Sequence, residues 1–180
     1  MPNLVAMAGL PATGKSTLAQ ALAKELGGVV LDKDVIRAAL FPAPFIEYSS
    51  TQDDFCMSVL FQTARYLVTA KKTSRIFVDG RPFARKPQID QLVAEAESFG
   101  YSLKIIFCTC SDATAKARLA EQQKHVAGNR NYLLYQKLQK EFEPIVLPHL
   151  VVDTDRPLAQ VLAAAVAYLR APISSTNPIN

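Results

Sequence analysis

The chain lacks the features of a secreted, membrane-spanning or zinc-dependent protein. Its three cysteines, Cys56, Cys108 and Cys110, are odd in number and show no C-x-x-C or zinc-ligand spacing. That argues against a disulfide framework and for buried thiols in a reducing compartment. His125 and His149 also lack metal-ligand spacing. No apolar run reaches membrane-spanning length, and no basic region precedes the first one. Neither a transmembrane segment nor a signal peptide is expected, and the cytoplasm is the expected compartment. There is no internal repeat and no linker, so a single domain is expected over 1–170. Residues 171–180 are rich in Ser, Thr, Asn and Pro and read as a loosely ordered tail.

Charge of one sign is also not concentrated. The net charge is +4 and the pI about 9.0, but the lysines and arginines are scattered. No basic stripe with interleaved aromatics appears, which argues against an extended nucleic-acid track. A mild positive charge agrees with an anionic ligand.

What the sequence does contain is Gly9-Leu10-Pro11-Ala12-Thr13-Gly14-Lys15-Ser16, a complete G-x-x-x-x-G-K-[ST] match. An apolar run at 4–8 precedes it, and a helix-forming stretch from Lys15 follows. Strand, glycine loop and helix are the context of a phosphate-binding loop. Gly9 and Gly14 let the backbone curl and approach phosphate oxygens, and the helix start adds unpaired N–H groups. Lys15 can reach the β- and γ-phosphates, and the Ser16 hydroxyl can ligate Mg²⁺. The competing reading, a glycine-rich turn with an incidental lysine, does not account for every position and both flanks.

Short continuous apolar runs at 4–8, 29–32, 75–79, 103–109 and 150–153 read as five strands. Helices are expected over 15–26, 34–40, 53–71, 87–99, 112–123, 132–142 and 158–169. Asp53 and Asp54 suit the start of the third helix, which has Phe55, Val59, Tyr66 and Val68 among its apolar positions. Strands without alternation imply burial on both faces, hence a parallel α/β sheet.

In such a sheet the ligand site lies at the carboxyl ends of the strands. Asp32, Asp34 and Arg37 follow the second strand, and Asp79, Arg81 and Arg85 follow the third. Asp34 and Arg37 are three apart and share a helix face, where the carboxylate could accept a hydroxyl proton. A plain exposed ion pair is the alternative. Asp32 could cap the following turn. Asp79 could hold the metal through water, brace Arg37, or merely shape the turn before Gly80. Arg118, Lys124, His125 and Arg130 surround a polar loop that could close over phosphates, with Arg118 and Arg130 favoured because they bracket it. The 41–52 segment, with Phe41, Phe45, Ile46 and Tyr48 and Glu47 as its only charged residue, is expected to wall a small-molecule pocket.

The phosphate loop, the Leu31-Asp32-Lys33-Asp34-Val35-Ile36-Arg37 run and Val78-Asp79-Gly80 together resemble the small P-loop kinases. The nearest group is the family of stand-alone, AAA-like ATP-binding domains. The chain is similar to the kinase domain of polynucleotide 5′-hydroxyl kinases, to chloramphenicol phosphotransferase and to zeta toxins, over about residues 3–165. The resemblance implies a five-stranded sheet in the order 2-3-1-4-5, with a lid between the fourth and fifth strands. It implies ATP and Mg²⁺ as cofactors, held by Gly9, Pro11, Ala12, Thr13, Gly14, Lys15, Ser16 and Thr17, with Asp79 supporting Arg37. By the same resemblance Asp34 is the general base and Arg37 contacts the substrate; Arg81 and Arg85, after the third strand, are expected near the same acceptor side. Arg118 and Arg130 engage the nucleotide phosphates, and the loop holding Thr154 and Arg156 borders the base. The expected activity is transfer of the γ-phosphate of ATP to a hydroxyl group, of a small molecule before a polynucleotide. An ATP-dependent interaction protein and a zeta-toxin-like activity on a nucleotide sugar stand as alternatives. A monomer or a homodimer, and ATP or GTP, both fit.

Overall fold

The structure, a computed structural model, describes residues 2–121 and 131–171. Its centre is β1 (Asn3–Ala8), buried at every position, as a strand covered on both faces must be. Around it lie β2 (Val29–Asp32), β3 (Arg75–Asp79), β4 (Ser102–Thr109) and β5 (Leu150–Asp153) in the order β2-β3-β1-β4-β5. Every pairing is parallel. Parallel neighbours need crossovers, and the helices supply them. They are α1 (Lys15–Leu26), α2 (Lys33–Leu40), α3 (Ser50–Thr69), α4 (Lys86–Phe99), α5 (Asp112–Glu121), α6 (Tyr132–Glu141) and α7 (Leu158–Arg170). A short 3₁₀ turn spans Ala43–Phe45.

The pleat of β1 divides the core. Leu4, Ala6 and Ala8 pack with Met57, Leu60 and Phe61 of α3 and with Ile89 and Leu92 of α4. Val5 and Met7 face the other way, onto Leu18 and Leu22 of α1 and Val161 and Leu169 of α7. The two-sided burial inferred from the apolar runs is therefore present, as is the expected strand order.

Several boundaries differ from expectation for local reasons. Helix α2 begins at Lys33, because the Asp32 side chain accepts from the Asp34 and Val35 amides and caps it. Helix α3 begins at Ser50 rather than at Asp53, because Ser49 accepts from the Gln52 amide. Its core face is Cys56, Met57, Leu60, Phe61 and Ala64. Phe55 and Tyr66 point outward instead, 52% and 68% exposed. The loop at 122–130 and the tail from 172 lie outside the described residues. Among the described residues, no helix is long and apolar enough to cross a membrane.

Leu60 is fully buried between α3 and the sheet. Leu60→Ala should lower stability by about 2–5 kcal/mol, read as a shifted urea midpoint, through lost burial plus a cavity. Tyr66→Ala, on the outward face of the same helix, should change it by no more than about 0.5 kcal/mol.

Candidate active site

The loop between β1 and α1 is wedged into the sheet. Gly9 has φ +128°, and a Cβ there would collide with the Cys108 carbonyl at the end of β4. The Gly9 amide donates to the Pro82 carbonyl after β3, at 3.0 Å. Gly14 is left-handed, φ 82°, and Ala12 joins it with φ 63°. Inside the loop, Thr13 Oγ1 and Lys15 Nζ both donate to the Leu10 carbonyl, at 2.8 and 2.6 Å. No side chain caps α1 at Gly14. The first turn of α1, which holds Ser16 and Thr17, points its amides into the positive field of the helix end, where an anion is favoured.

A cavity opens on each side of this loop. The first, about 260 Å³, is walled by Ala12, Gly14, Thr17, Leu18, Arg118, Thr154, Arg156, Leu158 and Val161. Arg118, from α5, reaches across to the turn after β5. Its Nη1 donates to Thr154 Oγ1 at 3.0 Å and to the Ala12 carbonyl at 3.2 Å, and its Nη2 to the Thr154 carbonyl at 2.9 Å. Thr154 Oγ1 lies 3.1 Å from both the Thr13 and Thr109 carbonyls and can donate to one at a time. Arg118 is therefore a staple between the phosphate loop and the last strand, and three of its hydrogen bonds end on protein oxygens. Arg156 is exposed, 3.8 Å from Asp153. Arg130, Lys124 and His125 lie outside the described residues.

The second cavity, about 210 Å³, lies between the phosphate loop, α2 and the turn after β3. Asp34 and Arg37 do share a face, and Arg37 Nη1 donates to Asp34 Oδ1 at 2.9 Å. Both are nearly sealed, at 5% and 2% exposure. Arg37 Nη2 also pairs with Asp53, and its guanidinium lies 5.2 Å from the Tyr48 ring centre. Lys33 Nζ donates to Asp53 at 2.7 Å and lies 3.4 Å from Asp34. Arg81 is buried and donates to the exposed Asp54 at 2.6 Å. Arg85 is exposed, pairs with Glu141 of α6 at 2.9 Å, and still borders the cavity.

Beneath the turn after β3, Asp32 and Asp79 stand in register on adjacent strands. Asp79 is fully buried, and neither of its oxygens has a hydrogen-bond partner among the described residues, so it does not brace Arg37. Burial, then the Asp79 charge, holds the Asp32 carboxyl above its ordinary range. Gly80, φ +85°, follows because a Cβ would meet Asp32 Oδ1 at 2.5 Å. The thiols are not poised for chemistry: burial pushes Cys108 up to about 12 and raises Cys56 and Cys110 too.

One expectation is corrected. The 41–52 segment does not wall the pocket with apolar groups. Only Tyr48 of that stretch borders it, while Phe45 is 67% exposed. The apolar lining comes instead from Pro11, Pro82 and Ala84, and from Leu134 and Leu138 of α6. Sequence reasoning also missed Lys33, Asp53 and Asp54 as site residues. Lys33 left a signal, four residues before Arg37 and so on its helix face. Asp53 left none, since its partners lie one helix away.

Residues 4–144 match the family model described as the AAA domain. Among curated proteins, no sequence matches significantly. Solved structures do. An APS kinase of Mycobacterium tuberculosis, in complex with AMPPNP and APS, superposes with a TM-score of 0.71 at 17% identity, covering 94% of this chain and 98% of that one. A gluconokinase of Sinorhizobium meliloti 1021 gives 0.67 at 18%, covering 93% and 91%. A sugar kinase of Janibacter sp. HTCC2649 gives 0.65 at 18%, covering 94% of each chain. With its motif loop, strand order and matched span in agreement, the chain belongs to the AAA domain family, as a P-loop domain of kinase-like fold.

Proposed function

We propose that this protein is an ATP-dependent phosphotransferase that moves the γ-phosphoryl group of ATP to a hydroxyl group of a small molecule. The observation that carries this reading is the phosphate loop set between two cavities, one of which holds the Asp34 carboxylate. The first cavity, bordered by Arg118, Thr154 and Arg156, takes the nucleoside side. The second takes the acceptor. The neighbours named as a gluconokinase, a sugar kinase and an APS kinase with AMPPNP support a nucleotide and a small acceptor on this scaffold. So does the acceptor cavity, about 210 Å³, which is smaller than the sites of drug-sized ligands. A polynucleotide 5′-hydroxyl is the second acceptor class, since only its end would have to enter.

The chemistry follows from the residues. The loop amides from Ala12 to Thr17, with Gly9, Pro11, Ala12, Thr13 and Gly14 shaping the curl, hold the β- and γ-phosphates. Lys15, now on the Leu10 carbonyl, turns to them. Asp34 takes the proton from the acceptor hydroxyl. The acceptor oxygen then forms its bond to the γ-phosphorus as the bond to the β–γ bridging oxygen breaks, and ADP departs. Arg37 orients Asp34. Arg81 and Arg85 border the acceptor. Arg118 fixes the loop against the turn after β5, and Arg130 completes the cation set on the nucleotide. The donor set fits Mg²⁺: a Ser16 hydroxyl in the first turn of α1 and the buried Asp79 carboxylate, without a hydrogen-bond partner among the described residues, are hard oxygen ligands, directly or through water. Neutralisation of phosphate charge is what Mg²⁺ supplies when held there. We take 1–170 as one domain and the cytoplasm as its compartment.

Two variants test this reading. Lys15→Ala should fold, lose most affinity for ATP in a titration, and lose turnover; unchanged affinity and rate would rule out the loop assignment. Asp34→Asn should keep ATP affinity within a few-fold while acceptor-dependent ADP release falls by about 10²–10⁴. An interaction protein that only reads nucleotide state would have no acceptor-dependent rate to lose.

A further inference from the structure

We infer that the acceptor carries an anionic oxygen group, a carboxylate or a phosphate, which seats on Arg81 and Arg37 while its hydroxyl faces Asp34. This rests on the phosphotransferase reading for the hydroxyl, and on the cavity alone for the anion.

Two buried guanidinium groups border the acceptor cavity, at 6% and 2% exposure. In each, Nε is buried and has no hydrogen-bond partner among the described residues. Buried donors are ordinarily satisfied, and one left open at a cavity wall marks where a ligand acceptor belongs. A guanidinium has five N–H donors in a fixed fork, and carboxylate or phosphate matches that fork with two parallel bonds. Asp54 occupies Arg81 only through Nη2, and Asp54 is 65% exposed, so water competes for that pair.

The balance of charge points the same way. Lys15, Lys33, Arg37, Arg81 and Arg85 border the cavity, against Asp34 and Asp53. The other acidic partners, Asp54 and Glu141, are not among its walls and sit in solvent. Lys33 and Arg37 converge on a single oxygen of Asp53. With Asp34 also between them, these two cations are matched by two carboxylates, so Arg81 and Arg85 are the wall cations whose acidic partners lie outside the cavity. The hydroxyls of a neutral sugar or alcohol would accept from these donors but leave their charge uncompensated. An anion of a few atoms would complete them, and the apolar side of the cavity, Leu134, Leu138 and Ala84, would cover its carbon chain.

The experiment uses matched probes: glucose, gluconate and glucose 6-phosphate, then ribose, ribonate and ribose 5-phosphate. Each is measured twice with the full chain, by melting temperature without nucleotide and by ADP release with ATP and Mg²⁺. At least one charged member should raise the melting temperature where its neutral partner does not. Its kcat/KM should exceed that of the neutral partner by at least about tenfold, the scale of a charge-assisted hydrogen bond. Arg81→Gln should cut that ratio about tenfold, chiefly through KM. Asp54→Asn is a surface change that releases the Arg81 fork, and it should enlarge the anion-dependent melting shift. Carboxylate and phosphate arms show which anion is preferred. If anions shift the melting temperature and Arg81→Gln abolishes the shift, but no acceptor-dependent ADP appears, the anion site stands and the kinase reading falls. Neutral members equal to charged ones, a ratio unmoved by Arg81→Gln, a shift reduced by Asp54→Asn, or no response to any anion would each overturn the inference.

Discussion

Everything at this site depends on one close approach of backbone to backbone. The loop after β1 can lie flat on the end of β4 only because Gly9 has no side chain to meet the Cys108 carbonyl. Its amide is then tied to Pro82, beyond β3. The loop is thereby clamped to both neighbours of the central strand. That places the start of α1, with its unpaired amides, over the carboxyl edge of the sheet, where the strand termini deliver Asp32, Asp79 and Thr154. A side chain at position 9 would lift the loop, and the two cavities would no longer share a wall.

The two cavities are held by different physics. On the Arg118 side the contacts are hydrogen bonds from one guanidinium to main-chain carbonyls and a threonine, so the shape is set by backbone position. On the Asp34 side it is set by side-chain charge: Lys33, Asp34, Arg37 and Asp53 form one partly buried cluster. Removing one member of such a cluster leaves the others uncompensated in a medium that screens poorly. The first arrangement suits a ligand recognised by shape and stacking. The second suits one recognised by charge.

How much was legible in the sequence follows from the range of each interaction. The phosphate loop, the five buried strands and the Asp34–Arg37 pair are local or depend on continuous apolar runs, and they read directly; the strand order came only from the resemblance to the small P-loop kinases. The outward turn of Phe55 and Tyr66 did not, because an apolar residue can lie on either side of a helix and only packing decides. Asp53 looked like an ordinary helix-start acid. It is one, since α3 begins at Ser50, but that same turn faces α2 across space and brings it to Lys33 and Arg37. The composition of 41–52 suggested a pocket wall, yet a short 3₁₀ turn directs Phe45 to solvent, and the distant α6 supplies the apolar lining.

The central position of β1 has a consequence for how the chain is made. Strand β1 is synthesised before either of its partners, Arg75–Asp79 on one side and Ser102–Thr109 on the other. Until both have been synthesised, an entirely apolar stretch from Leu4 to Ala8 has no permanent partner. Non-local parallel pairing of this kind is slow, because a long loop must close before any contact rewards it. The nascent chain thus carries an unpaired apolar strand while its neighbours are made, and α1, which follows at once, is the element that can cover one face of it in the meantime.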